Sequence, residues 1–266
     1  MITIKDPVMM GYLLFVAGVF GAIFGSFLNC MAYRIVHHES FLKGKSHCDS
    51  CGHELGAKDL VPILSYVFQK GRCRYCGKKM GARFVLSEIL LCVVFVSIVW
   101  KYGVSFDSLR YLGLACALFS LSFVDLDIQE IPDGYIIFGI IWWIVTAPLV
   151  TLGQGGSVHD MLMSLLGGAI GGFGLAIGML LISLLFDKIM GKDSLGGGDI
   201  KLFFVVGLYV GIAIGLFDVI LSCVIGLILA ICVRKEMIPF GPSIALSTWI
   251  CVLVGAQFVT WYISLF

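Results

Sequence analysis

Apolar residues run along this chain in long uninterrupted blocks, not in the alternation of strands or the one-sided stripes of surface helices. A membrane-crossing helix needs about 20 predominantly apolar residues, and eight blocks approach that length. They are Met9–Ile35, Phe84–Trp100, Leu109–Val124, Tyr135–Leu152, Met161–Phe186, Leu202–Leu216, Phe217–Val233 and Ile244–Phe266. The sixth is short and only Asp218 separates it from the seventh, so the two are equally consistent with one bent or re-entrant element. The first block is too long for a signal-peptide core and has no polar break after a cleavage site, so it reads as a retained helix. The pattern predicts an all-α polytopic membrane protein of about eight transmembrane helices, with a small hydrophilic domain between helices 1 and 2. Three regions follow: a first helix over 1–35, a hydrophilic insert over 36–83, and a helical bundle over 84–266.

Composition agrees. Of 266 residues, 59% are apolar and 13% charged, and the mean hydropathy is +1.03, far from the roughly one-quarter charged composition of soluble domains. The net charge of +1 hides an asymmetry, because nine of the eighteen Lys and Arg lie between Lys43 and Arg83. Placing the insert in the cytoplasm puts fifteen of these cations inside, with only Lys5, Lys101 and Arg110 outside, and short cytoplasmic loops do collect positive charge. Both termini then face away from the cytoplasm. Small residues four apart (Gly21 and Gly25, Gly167 and Gly171, Gly168 and Gly172, Gly174 and Gly178) predict close helix packing in lipid.

Four of the ten cysteines form two C-x-x-C knuckles, Cys48/Cys51 and Cys73/Cys76, twenty-one residues apart. This spacing suits a four-thiolate structural zinc site. A reducing cytosol disfavours disulfides there, and a loop of some 45 residues has too little core to fold without a staple. Each knuckle is followed by glycine, Gly52 or Gly77, which permits the tight turn. His37, His38, His47 and His53 read as solvated loop residues, with replacement of a cysteine as ligand the alternative, and His159 as an outer-loop residue of no assigned role.

Two acidic segments border apolar blocks on the same predicted side. One is Gly196-Gly197-Gly198-Asp199-Ile200-Lys201, whose glycines permit unusual φ values and close backbone approach. The other runs from Asp125 to Asp133. A carboxylate at a membrane boundary is costly unless hydrated, paired or functional. Asp125 is the deepest of its segment, Asp133 follows Pro132 as a helix cap, and Asp127 and Glu130 read as solvated. Two adjacent carboxylates cannot both ionise readily and share a proton. The ionised member can activate a water while the protonated one polarises a carbonyl and protonates the leaving amine. On a helix Lys201 points about 200° away from Asp199, so it serves as a loop anchor, a binder of substrate acid or a positive-inside residue. The rival use of the pair is proton- or cation-coupled transport, which favours a midplane site and an internal repeat; neither is seen. A non-catalytic zinc-knuckle assembly protein leaves the pair unexplained.

These residues resemble the bacterial type IV prepilin peptidases, aspartic proteases with a G-x-G-D motif. Gly196–Asp199 with Lys201, and Asp125 six residues before Ile131-Pro132-Asp133, carry the likeness. So do Gly25-Ser26-Phe27-Leu28-Asn29 with Arg34, Pro62–Tyr66, Gly71–Gly77, and Arg83 with Glu88. Val36, Ser46-His47 and Phe84-Val85 depart from the family pattern, all in the amino-terminal third. The resemblance implies catalysis by Asp125 and Asp199, with Gly196, Gly198 and Lys201 shaping the substrate loop. It also implies a second activity, N-methylation from S-adenosylmethionine, with Gly71 and Glu88 as candidate residues and Cys48, Cys51, Cys73 and Cys76 holding zinc. The expected partners are prepilin or pseudopilin precursors of type IV pili or type II secretion and the lipid bilayer, with no nucleic acid. The expected location is the bacterial cytoplasmic (inner) membrane, the active site facing the cytoplasm.

Overall fold

The computed structural model describes residues 6–40, 44, 46–48, 50–191, 195–233 and 239–265. The loop cations Lys5, Lys43, Lys45, Lys192, Arg234 and Lys235, counted in the orientation above, lie outside the described residues. Among those described, seven helices are long and apolar enough to cross a membrane. Among the described residues the only extended pairings are two isolated bridges, His47 with Glu54 and Arg72 with Lys79. The chain divides into two compact units at Gly103/Val104.

The amino-terminal unit holds α1 (Pro7–Val36), a 3-10 turn (Ala57–Asp59), α2 (Leu64–Phe68) and α3 (Ala82–Tyr102). Helix α1 starts with Asp6, whose carboxylate accepts the Val8 amide at 2.9 Å, and has proline in its first turn, both standard N-terminal devices. Helices α1 and α3 pack backbone to backbone. A Cβ on Gly21 would lie 2.6 Å from the Leu91 carbonyl, and one on Gly25 would lie 2.7 Å from that of Ser87. The expected small-residue packing therefore holds here.

The carboxy-terminal unit holds α4 (Phe106–Ile128), α5 (Asp133–Gly153), α6 (Val158–Met190), α7 (Gly197–Val233), α8 (Gly241–Ile250), a π-helical turn (Cys251–Gly255) and α9 (Ala256–Ile263). Glycine contacts again set the packing: Gly168, Gly171 and Gly172 of α6 face Leu208, Gly207 and Phe204 of α7. Gly167 and Gly178 have no neighbour within 4 Å of an added Cβ, so the expectation fails at those two.

Helix α7 takes the second of the two forms expected for 202–233, one bent element, but bends at Gly211 and not at Asp218. The two blocks split at Asp218 in the sequence reading form one 37-residue element, interrupted instead at Gly211 (φ 74°, ψ 177°), a conformation open to glycine alone. Before the break, Phe204 and Leu208 pass Gly172 and Gly168, so this half runs antiparallel to α6. After it, Ile212 and Gly215 pass Gly174 and Leu175, so the second half runs parallel to α6. The carbonyls before Gly211 lose their helical partners. Arg110, at the start of α4, supplies replacements: its Nη2 donates to Tyr209 O at 2.9 Å and to Leu208 O at 3.4 Å. A cation at a helix carboxy end also opposes the end charge of the helix dipole.

Asp218 is no boundary. It is 0% exposed and accepts the Thr248 hydroxyl at 2.9 Å, joining the second half of α7 to α8. A buried acid with a hydroxyl donor is tolerated inside an apolar block, which hydropathy alone misreads as a break.

Candidate active site and metal centre

Asp125 belongs to the last turn of α4, not to the loop that follows. The helix ends when Gln129 turns left-handed (φ 56°), its amide returning to Asp125 O. The Asp125 side chain is 4% exposed. Its Oδ2 accepts the Gly241 amide at 2.7 Å, the first amide of α8. Asp199 lies in the first turn of α7, and its carboxylate accepts the Gly196 amide and feels the charge of Asp125. The end of α4, the start of α7 and the start of α8 therefore converge on two carboxylates. Two carboxylates that feel each other's charge disfavour double ionisation.

The glycines of the loop act differently from expectation. None of Gly196, Gly197 and Gly198 has positive φ, and Gly197 and Gly198 already belong to α7. Their unusual-backbone role is therefore corrected. Gly198 is small because a Cβ there would lie 2.9 Å from Cβ of Ile131, in the segment that follows Asp125. A side chain at 198 would push the two aspartate-bearing segments apart. Lys201 meets Asp133 at 2.7 Å, which ties the start of α7 to the start of α5. Asp133 is thus a salt-bridge partner in the first turn, and Pro132 takes the N-cap position assigned to it. Asp127 and Glu130 are exposed.

Gly241 joins the candidate site without having been expected there. An added Cβ would lie 2.6 Å from Asp125 Oδ2, so only glycine brings this amide to the carboxylate. The signal was present in Pro239-Phe240-Gly241-Pro242: proline in a helix's first turn needs no amide partner and fixes the entry angle, and the intervening glycine marks a close approach.

In the amino-terminal unit the two knuckles repeat one design. Cys48 N donates to His53 O and Gly52 N to Cys48 O; Cys73 N donates to Lys78 O and Gly77 N to Cys73 O. Gly52 (φ 68°) and Gly77 (φ 72°) take the left-handed conformation that closes each turn, as glycine does without strain. The four Sγ atoms lie within 4.8 Å of one another, and Cys48 and Cys76 are 4.0 Å apart. Tetrahedral thiolates at Zn–S distances of about 2.3 Å are about 3.8 Å apart, so the cluster can hold a metal ion with slight contraction. The Ser50 and Cys51 backbone amides pull the Cys48 thiol down to about 7. Cys51 is pulled down by the His53 amide, but desolvation and its neighbouring thiols outweigh this and push it up to about 11. A cation removes that mutual repulsion. Asp59 braces the second knuckle, with its carboxylate meeting Arg74 Nε at 3.3 Å, Tyr75 OH at 3.1 Å, Gln69 Nε2 at 3.2 Å and Gly56 N at 3.1 Å. His37, His38, His47, His53 and His159 are exposed, and His53 lies against the Tyr75 ring at 3.6 Å.

Gly71 has φ 64°, and a Cβ there would meet the Tyr66 hydroxyl at 2.9 Å, which explains its size locally. Glu88 is buried in α3 and accepts the Ile63 amide at 2.6 Å. Beside it in the same unit, Arg83 donates to buried Asn29 at 3.1 Å.

Residues 19–102 match the bacterial peptidase A24 N-terminal domain, and residues 112–231 match the type IV leader peptidase family. The chain is 31% identical to a prepilin leader peptidase/N-methyltransferase of Neisseria gonorrhoeae, with 88% of each chain covered. It is 30% identical to one of Pseudomonas putida, with 92% of each covered, and 28% identical to one of Bacillus subtilis strain 168, over 93% of this chain and 96% of that one. No solved structure matches. Matched along both of its units and similar to such relatives over most of its length, the chain belongs to the type IV leader peptidase family.

Proposed function

We propose that this chain is a membrane aspartic endopeptidase that removes the leader from type IV prepilins or pilin-like proteins and N-methylates the new amino terminus. The observation that carries the reading is the convergence of Asp125 and Asp199 from separate helix ends, within reach of each other's charge. The ionised carboxylate takes a proton from water as the water oxygen attacks the scissile carbonyl; the protonated one donates to the leaving amine, which departs as the C–N bond breaks. Gly241 N–H holds one carboxylate, while Gly198 and the Lys201–Asp133 pair keep the two segments together.

Cys48, Cys51, Cys73 and Cys76 hold a structural zinc, since four thiolates leave no position for water. S-adenosylmethionine, when bound, supplies the methyl group. A buried carboxylate such as Glu88 fits a cationic amine or sulfonium, and Gly71 shapes the turn that leads into the second knuckle. Reading the two runs of α7 on either side of Gly211 as separate crossings gives eight in all. The Lys and Arg distribution then faces Asp125, Asp199 and Gly241 to the cytoplasm from the inner membrane.

The test is incubation of the purified, lipid-reconstituted protein with a precursor pilin, followed by sequencing of the product amino terminus. Asp125→Asn and Asp199→Asn each abolish cleavage while inserting normally, and substantial turnover by either overturns the dyad. Asp127→Asn retains most activity; a dead Asp127→Asn beside a live Asp125→Asn shows that the wrong carboxylate was paired.

A further inference from the structure

The segment between the knuckles carries apolar residues that nothing in the peptidase or methyltransferase reading uses. Leu60, Val61, Leu64, Val67 and Phe68 are all exposed, Phe68 at 80%. Soluble surfaces rarely gather large apolar side chains in this way.

The height of this segment can be read from its tether. Ile63 N–H donates to Glu88 Oε2 at 2.6 Å, and Glu88 belongs to α3, where a Cβ on Gly25 of α1 would lie 2.9 Å from Glu88 Cα. Glu88 therefore stands level with Gly25. On α1 the exposed apolar side chains run from Val8 to Phe27 and then stop. That stretch is about 28 Å long at 1.5 Å per residue, close to the hydrocarbon thickness of about 30 Å. On α3 the exposed apolar face begins at Phe84. The lipid boundary of this unit thus falls near Phe27 and Phe84, and the tether holds α2 at that level.

The backbone is built for the purpose. Ile63 has φ 61° and ψ −52°, with Leu64 N returning to Pro62 O at 2.6 Å, a positive-φ γ-turn that is rare and strained and most unusual for a β-branched residue. The turn reverses the chain beside α3 and starts α2, which presents Leu64, Val67 and Phe68. Lys58 and Lys70 flank the patch and are exposed, matching the anionic headgroups above a leaflet's acyl chains.

We propose that Leu60–Phe68 is an interfacial membrane anchor: its apolar side chains enter the headgroup and acyl boundary of the leaflet at this end of α1 and α3. The occupant is lipid, because the patch continues the lipid-facing rows that end at Phe27 and Phe84. The anchor holds the cysteine knuckles against the membrane surface, not free in solution.

The test places an environment-sensitive fluorescent amino acid at 68, and separately at exposed Lys78, in the full chain reconstituted in phosphatidylethanolamine and phosphatidylglycerol vesicles. Lipids brominated near the top of the acyl chain should quench position 68 at least threefold more than position 78, and aqueous iodide should do the reverse. Adding Leu64→Asp and Val67→Asp should abolish bromolipid quenching at 68 with metal content unchanged. Equal iodide quenching at 68 and 78 overturns the anchor. So does protection at 68 that appears only after precursor pilin is added, which would assign the patch to substrate.

Discussion

Gly241→Ala tests whether a backbone amide positions the proposed dyad. An alanine Cβ at 241 would lie 2.6 Å from Asp125 Oδ2, 3.2 Å from its Cγ and 3.2 Å from Leu121 Cδ2. Ordinary contact begins at 3.4 Å, so the carboxylate or the start of α8 must give way by about 0.8 Å (3.4 less 2.6). The 2.7 Å amide bond to Asp125 is lost or badly stretched. A hydrogen bond to a charged group contributes about 1.5–3 kcal/mol, and each 1.36 kcal/mol is tenfold in rate. The expected fall in kcat/KM is therefore about 10- to 150-fold, carried by kcat because the carboxylate acts in the chemical step. Cleavage of a precursor pilin by the reconstituted protein measures it, with thermal melting as the check on folding. Gly134→Ala, where an added Cβ meets nothing within 4 Å, should stay within about twofold of the parent by the small effect expected of such sites. If Gly241→Ala cleaves within threefold of the parent rate, α8 does not position Asp125 and the reasoning fails.

Other outcomes follow from the same contacts. Gly198→Val should lower cleavage strongly at unchanged expression, because the obstruction is the Cβ branch point of Ile131, while Gly174→Ala meets the flexible end of Ile212, Cδ1 at 2.7 Å and Cγ1 at 3.6 Å, and should be mild; equal rates for Gly198→Val and the parent would make the loop passive. Replacing any one of Cys48, Cys51, Cys73 and Cys76 by Ser should remove about one zinc per chain and expose residues 44–80 to protease, with methyl transfer falling more than cleavage; a metal-free but protease-resistant loop would refute this. Arg110→Ala leaves the Tyr209 and Leu208 carbonyls unpaired and should cost about 1–3 kcal/mol, read as a lower melting temperature; an unchanged melt would mean that water serves those carbonyls as well.

What could be read beforehand depended on whether a residue's role shows in its side chain. The cysteine knuckles and their glycines were legible because metal chemistry fixes residue type and spacing together, and α1 and α3 because lipid demands apolar runs. Asp125 stood out as the first carboxylate after an apolar run, although α4 continues past it to Ile128. Gly211 was invisible: a glycine among apolar residues gives no hydropathy signal, and the break comes from its φ of 74°. Asp218 gave the opposite error, since a polar residue inside an apolar run looks like an end until its Thr248 partner is seen. Arg110 counted as an outer-loop cation, whereas its guanidinium caps carbonyls nearly a hundred residues further along. Gly241 acts through its backbone, which no side-chain pattern reports.

The route of the chain and the electrostatics of the proposed site impose the same requirement. Asp125 ends α4, so its own helix presents carbonyl ends that oppose a negative charge there. Asp199 is in the first turn of α7, where exposed amides favour one. Left so, the two carboxylates would be unequal, with Asp125 the poorer anion. The Gly241 amide, at the start of α8, brings a second helix amino terminus to Asp125 and offsets that handicap. For α8 to start at this end, the chain leaving Asp199 along α7 must go out and come back before residue 241. A straight 37-residue helix would be about 55 Å long and would deliver residue 241 to the far side of the membrane. The turn at Gly211, with its loose carbonyls held by Arg110, is therefore the distant condition for the short bond between Gly241 and Asp125.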